Sequence, residues 1–243
     1  MTKSAALFER QSTLPGWTQE HQTRLSESQV FLAGVGGVGG VVAQYLAMGG
    51  VGTLVLVHSG DLDLPDLNRQ TLMERSGLGK SRVAQASTRL TRQVPECRVI
   101  AIDSRIEPWM ESLVASSDLL IDARTNFEER FLLNRMARKT EKPLVFAAIN
   151  GMEGMLVPLR PGNGPCLACL FPEGDPEWDP LGFPVLGAIS GVVGAMAGVL
   201  ALRILSGYGG GEMDRMTVFE GMDLSTRSLR VMRAPTCKVC HEE

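Results

Sequence analysis

Apolar positions in the first part of the chain fall into short unbroken runs, separated by stretches with helical spacing. Val30-Phe31-Leu32-Ala33 is the first run and leads straight into glycines. Thr53 to Val57, Val99 to Ile102, Leu119 to Asp122 and Leu144 to Ala148 follow the same pattern. Short apolar runs bounded by turn signals read as strands buried on both faces. Between them, Val38 to Met48, Lys80 to Gln93 and Asn126 to Lys139 read as helices, the second closing before Pro95. Strand and helix alternate, which predicts an α/β fold with a mostly parallel sheet and helices on both faces.

The pattern changes after Asn150. Gly151 to Arg160 reads as a strand pair, and Pro161 to Pro184, rich in Pro, Gly and acids, as a long loop. Leu186 to Leu202 carries no charge and is long enough to raise a membrane question. It is rich in Gly and Ala, ends at Arg203 and lacks aromatic or basic flanks, so it reads as a helix buried on all sides within the fold. Gly207 to Gly211 reads as a turn and Met216 to Met232 as a final hairpin. The expected organisation is one domain over 1–243: an N-terminal helical arm (1–28), a nucleotide-binding half (29–150) and an acceptor and metal-binding half (151–243).

Composition narrows the function classes. The chain has 243 residues, 44% hydrophobic and 21% charged, the balance of an ordinary globular protein. A net charge of −3 without a basic run argues against a nucleic-acid surface. Met1 to Trp17 holds no apolar signal core, which points to the cytoplasm and no membrane. Five cysteines in such a chain suggest metal rather than disulfides. Cys166-Leu167-Ala168-Cys169 and Cys237-Lys238-Val239-Cys240 are two CxxC pairs, the ligand set of a closed, structural zinc site. Cys97 reads as a core residue in an apolar strand.

Gly34-Val35-Gly36-Gly37-Val38-Gly39 matches G-x-G-x-x-G between a strand and a helix. The glycines allow a tight turn, and backbone N–H groups at the helix start suit phosphate oxygens. The motif does not separate NAD from ATP. A dinucleotide enzyme wants an acid at the end of the second strand; here that position is His58, with Asp61 slightly later, and the NAD reading loses support.

Taken together, the glycine loop, Asp66-Leu67-Asn68-Arg69-Gln70, Lys80 and the two CxxC pairs resemble the MoeB/ThiF/HesA proteins, bacterial relatives of ubiquitin-activating enzymes. The likeness runs from about Phe8 to Cys240. It implies a homodimer with a Rossmann-like, doubly wound, mixed eight-stranded sheet and an antiparallel C-terminal part. It also implies adenylation with magnesium ATP: a carboxylate attacks the α-phosphate and pyrophosphate leaves. The usual carboxylate in the family is the C-terminal Gly-Gly of a ubiquitin-like sulfur carrier. By position, Arg10 matches an arginine that reaches the partner subunit's phosphate site, Arg69 and Gln70 match the family's Arg-Gln pair with Arg69 facing phosphate, and Lys80 matches the family's lysine, these cations stabilising charge on the phosphates. With Asp122 these cations form the expected catalytic set of Arg10, Arg69, Lys80 and Asp122. The expected nucleotide site adds Gly34, Gly36, Gly37, Gly39, His58, Asp66, Asn68, Gln70, Thr125 and Asn126.

The chain departs from the family pattern in its acids. His58 stands where the family has a ribose-binding aspartate, Asp66 replaces an asparagine, and Thr125 replaces the usual magnesium ligand. Asp66, Asp61 or Asp122 is then expected to take over. Leu170 to Leu186 has no cysteine, so covalent thiol transfer is not expected. Glu173 to Pro184, with Asp175, Glu177, Trp178 and Asp179, reads as a loop crossing the acceptor tail. Two other functions fit these departures: the same chemistry on a small carboxylic acid or peptide, and a nucleotide-binding scaffold without catalysis.

Overall fold

The computed structural model describes residues 6–160, 162–172, 174 and 182–241. Eight strands form one sheet in the order β3-β2-β1-β4-β5-β6-β7-β8. The strands are β1 (Gln29–Ala33), β2 (Thr53–Val57), β3 (Arg98–Ile102), β4 (Leu119–Asp122), β5 (Leu144–Asn150), β6 (Glu153–Leu159), β7 (Arg215–Glu220) and β8 (Ser225–Arg230). β1 to β5 pair in parallel, while β6, β7 and β8 continue the sheet antiparallel from β5. Five longer helices cover the sheet: α1 (Gln19–Glu27), α2 (Gly37–Gly49), α3 (Arg82–Gln93), α4 (Phe127–Lys139) and α5 (Gly187–Ser206).

Alternate strand residues feed two cores. Leu32, Leu54 and Ile121 pack under α2, α3 and α5 with Leu46, Leu90 and Ala197. Phe31, Val55, Leu120 and Phe146 face the other way, against Leu133 and Met136 of α4 and Met110. Both faces of the central strands are therefore apolar, which is why those strands read as unbroken runs.

The structure corrects the sequence in a few places. Gly151 to Arg160 is not a strand pair: β5 runs on to Asn150, the turn falls at Gly151 and Met152, and the segment supplies only β6. Cys97 is buried as expected but precedes β3 rather than lying within it. The apolar helix α5 is not buried on all sides. Val193, Gly194, Ala197 and Ala201 are buried, Gly194 so tightly that a Cβ there would stand 2.7 Å from the Val38 carbonyl oxygen in α2. Val192 and Val199 remain exposed, Val199 by 59%, as does Tyr45 of α2, which lies against Gly198. By length and composition α5 is the one helix among the described residues apolar enough to cross a membrane, but it packs closely on α2 through its small residues.

Candidate functional site

The strand register sets up the site. Val57, Ala33, Asp122 and Phe146 lie side by side across β2, β1, β4 and β5. His58, Gly34 and Ala123, which follow the first three, therefore leave the sheet at one rim, while β5 runs on and lines the cavity with Ala147 and Ala148. Strand order reverses between β1 and β4 at this rim, where open α/β sheets bind ligands. A cavity of about 830 Å³ lies there.

Its floor is the glycine turn. Gly34 has φ +97, a left-handed conformation that favours glycine, and its N–H donates to the Val57 carbonyl (2.8 Å). A Cβ on Gly39 would stand 1.8 Å from the Gly34 carbonyl oxygen, so the turn closes only without one. Gly36 and Gly37 line the cavity, while Gly34 and Gly39 shape the turn behind it.

One wall is the segment after β2. Bridges from Asp61 to Ser81 and from Leu62 to Leu78 fold this segment back on itself. The short 3-10 helix Leu64–Asn68 then carries Asp66, Asn68, Arg69 and Gln70 to the cavity. The Asp66 carboxylate accepts from Arg69 (3.3 Å) and Arg82 (3.4 Å). Arg82 also donates to the carbonyls of Gly60 and Ser59.

The opposite wall comes from β4 and the start of α4. Asn126 caps α4 by accepting the Glu129 N–H (2.8 Å) and donates to Glu129 Oε1 (2.6 Å). Glu129 also receives Arg124 (2.7 Å) and the Ile106 N–H. Burial favours a protonated Glu129, but Arg124 and these hydrogen bonds outweigh it and hold the carboxyl below its ordinary value. Arg124 reaches on to His58 Nδ1 (3.1 Å), which also receives the Val35 N–H (3.0 Å). Burial, then the fields of Arg124 and Arg82, keep His58 well below the usual histidine value. Arg130 donates to the Arg124 carbonyl and stacks on Phe146, 4.6 Å from the ring centre. Asp122 is wholly buried behind this wall; burial raises its carboxyl, Oδ1 accepts the Arg124 N–H, and Oδ2 has no hydrogen-bond partner among the described residues.

The structure thus brings Gly36, Gly37, His58, Asp66, Asn68, Arg69, Gln70, Thr125 and Asn126 to one cavity. Lys80 is exposed and lies off the cavity; Arg82, two residues on at the start of α3, is on it. Arg10 is exposed on the helical turn Glu9–Ser12, away from its own chain's cavity. The sequence reading missed Arg82, Arg105, Glu129, Arg130 and Ser190. Glu129 had a signal: Asn126-x-x-Glu129 has capping-box spacing ahead of an apolar run. Residues 175–181 of the crossing loop, with Asp175, Glu177, Trp178 and Asp179, lie outside the described residues.

The two CxxC segments meet against the middle of α4, where Phe131 packs on the cluster and Asn134 accepts the Leu167 N–H. Cys166 Sγ lies 4.0 Å from Cys169, 3.7 Å from Cys237 and 3.3 Å from Cys240; Cys169 and Cys240 are 3.5 Å apart. Four thiolates about 2.3 Å from a tetrahedral zinc would be spaced by about 3.8 Å. The cluster could hold a metal ion.

A doubly wound sheet, a glycine turn at its switch point and a four-cysteine cluster define an α/β protein of the Rossmann-like kind. More particularly, the chain belongs to the ThiF family, which it matches over residues 8–239. It is 42% identical over 234 residues to "Protein HesA, vegetative" of Trichormus variabilis, covering 96% of this chain and 88% of that one. It is 34% identical over 249 residues to the sulfur carrier protein adenylyltransferase of Thermus thermophilus, covering 97% and 90%. The fold is also that of the crystal structure of E. coli MccB: TM-score 0.83 and 18% identity, covering all of this chain and 74% of that one.

Proposed function

We propose that this chain, an adenylyltransferase of the ThiF family, activates the C-terminal carboxylate of a small carrier protein as an acyl-adenylate, with loss of pyrophosphate. The observation that carries the proposal is the cavity at the switch point, floored by the glycine turn and lined by Arg69, Arg82, Arg105, Arg124 and Arg130. Glycine-turn N–H groups suit phosphate oxygens, and fixed guanidinium groups stabilise charge that develops as pyrophosphate departs. The Thermus relative, a sulfur carrier protein adenylyltransferase, supports a carrier as substrate.

Arg69 and Arg82 are held by Asp66, so we assign them, rather than Lys80, to the phosphates of ATP. Asp66, Glu128 and Glu129 are each engaged by an arginine, which leaves them poorly placed to hold a metal. Magnesium then enters as the chelate of ATP's own phosphates. The four cysteines suit structural zinc, and the need for ATP and reduced thiols suits the cytoplasm. Arg10 reaches a cavity only across a subunit boundary. Val192 and Val199, exposed on one face of α5, together with exposed Tyr45 of α2 against Gly198, support a homodimer as the source of that boundary.

ATP–pyrophosphate exchange tests this. Exchange is expected only with a Gly-Gly-terminated carrier in a panel that also holds small carboxylic acids and a blank. Exchange with an acid alone would move the substrate to that class. A blank-level signal throughout, without ATP binding, would leave a scaffold and sink the proposal.

A further inference from the structure

We propose that His58 is a locked hydrogen-bond donor at the sugar corner of the cavity, so that the nucleotide is read there through an oxygen that accepts. The inference deepens the adenylation reading and rests on it. Two N–H groups converge on His58 Nδ1, from the Val35 backbone at 3.0 Å and from Arg124 at 3.1 Å. A backbone N–H and a guanidinium can only donate, so Nδ1 carries no proton. The ring is neutral and its one proton sits on Nε2.

The donors cannot exchange roles. Val35 is fixed by the glycine turn, and Arg124 is held by Glu129, which Asn126 holds in turn at the start of α4. His58 is nine-tenths buried, lines the cavity and makes no protein hydrogen bond through Nε2 among the described residues. The cations Arg124 and Arg82 beside it oppose a second proton.

The end of the second strand is where a doubly wound fold meets the ribose. A carboxylate there would accept from sugar hydroxyls and need their protons. An Nε2–H needs only a lone pair. A methyl ether keeps that lone pair, while a deoxy sugar loses it. The site should therefore accept ATP whose sugar hydroxyl is methylated and discriminate against the deoxy form.

The test has two parts. Nitrogen-15 NMR of the full chain, which holds three histidines, reads the ring directly, and His58→Asn assigns it. His58 is expected as the neutral Nε2–H form; an Nδ1–H form overturns the assignment whatever binds. Equilibrium binding of ATP and of its 2′ and 3′ methyl-ether and deoxy analogues is the second part. The methyl ether should bind within about threefold of ATP, and the matching deoxy form about five- to tenfold more weakly. His58→Asn keeps an acceptor for Val35 and removes Nε2–H, so it should weaken ATP but not weaken the deoxy form further. A purely structural role would weaken both alike and overturn the inference. Rejection of ether and deoxy forms together would show an acceptor site and overturn it as well. If no nucleotide binds, the adenylation reading falls and takes this one with it.

Discussion

Two buried carboxylates, Glu129 in the cavity wall and Asp122 behind it, respond to pH in opposite senses. Glu129 lies below its ordinary value because Arg124 and its hydrogen bonds outweigh burial. Its contribution is present above the unfolded carboxylate value and is lost as pH falls through the folded one. Asp122 is raised by burial despite Arg130 and Arg124, so its penalty grows as pH rises through the raised value. Glu129→Gln leaves Arg124 without its carboxylate in a site where both side chains are nearly solvent-free. It should cost about 2–4 kcal/mol near neutral pH. Urea unfolding should show this gap shrinking below about pH 4, the ordinary carboxylate range. A gap unchanged down that range would mean Glu129 does not titrate with the fold. Arg82 gives a functional test at the same scale. Arg82→Ala should lower pyrophosphate exchange by about 10²-fold, and Lys80→Ala should leave it within about twofold. The reverse order would return the phosphate role to Lys80.

Elements were legible where burial imposed a period or a run. β1, β2, β4 and β5 are covered on both faces and show as apolar runs. The exposed stripe of α5 was not legible, because a helix of Gly, Ala, Val and Leu is apolar all round and carries no phase. The strand pair was misread because the tight turn at Gly151 comes directly after a strand longer than its apolar run. In the site, positions adjoining strand ends could be placed from sequence. Arg82 could not, because its approach depends on the bridge that folds Ser81 back onto Asp61. The cysteine pairs show the opposite case, since spacing alone named four ligands that are 68 or more residues apart between pairs but share one cluster. If zinc ties these elements together, the purified chain should carry about one zinc per subunit. Metal analysis of Cys237→Ser should show it lost, with a lower melting temperature. A zinc-free wild type that melts unchanged in chelator would remove zinc from the structure.

At the scale of the whole molecule, the proposed dimer allows a test of whose arginine completes each cavity. Arg10 lies off the cavity of its own chain, and α5 presents exposed Val192 and Val199. A twofold assembly would place each arm where it could serve the other subunit. Arg10→Ala and Arg69→Ala should each abolish most exchange alone. Mixed under conditions that let subunits reassort, the two variants form mixed dimers as half of the population. If Arg10 acts in trans, one site of each mixed dimer has both arginines and the other has neither. Exchange should then recover to about a quarter of wild type. If Arg10 acts within its own chain, every site in the mixture lacks one arginine and no activity returns. Val199→Glu should abolish both the dimer, by sedimentation, and the recovery, because a charge in the apolar stripe cannot be buried unpaired. Recovery without a dimer, or a dimer without recovery, would separate assembly from catalysis and send the search for the missing cation elsewhere on the chain.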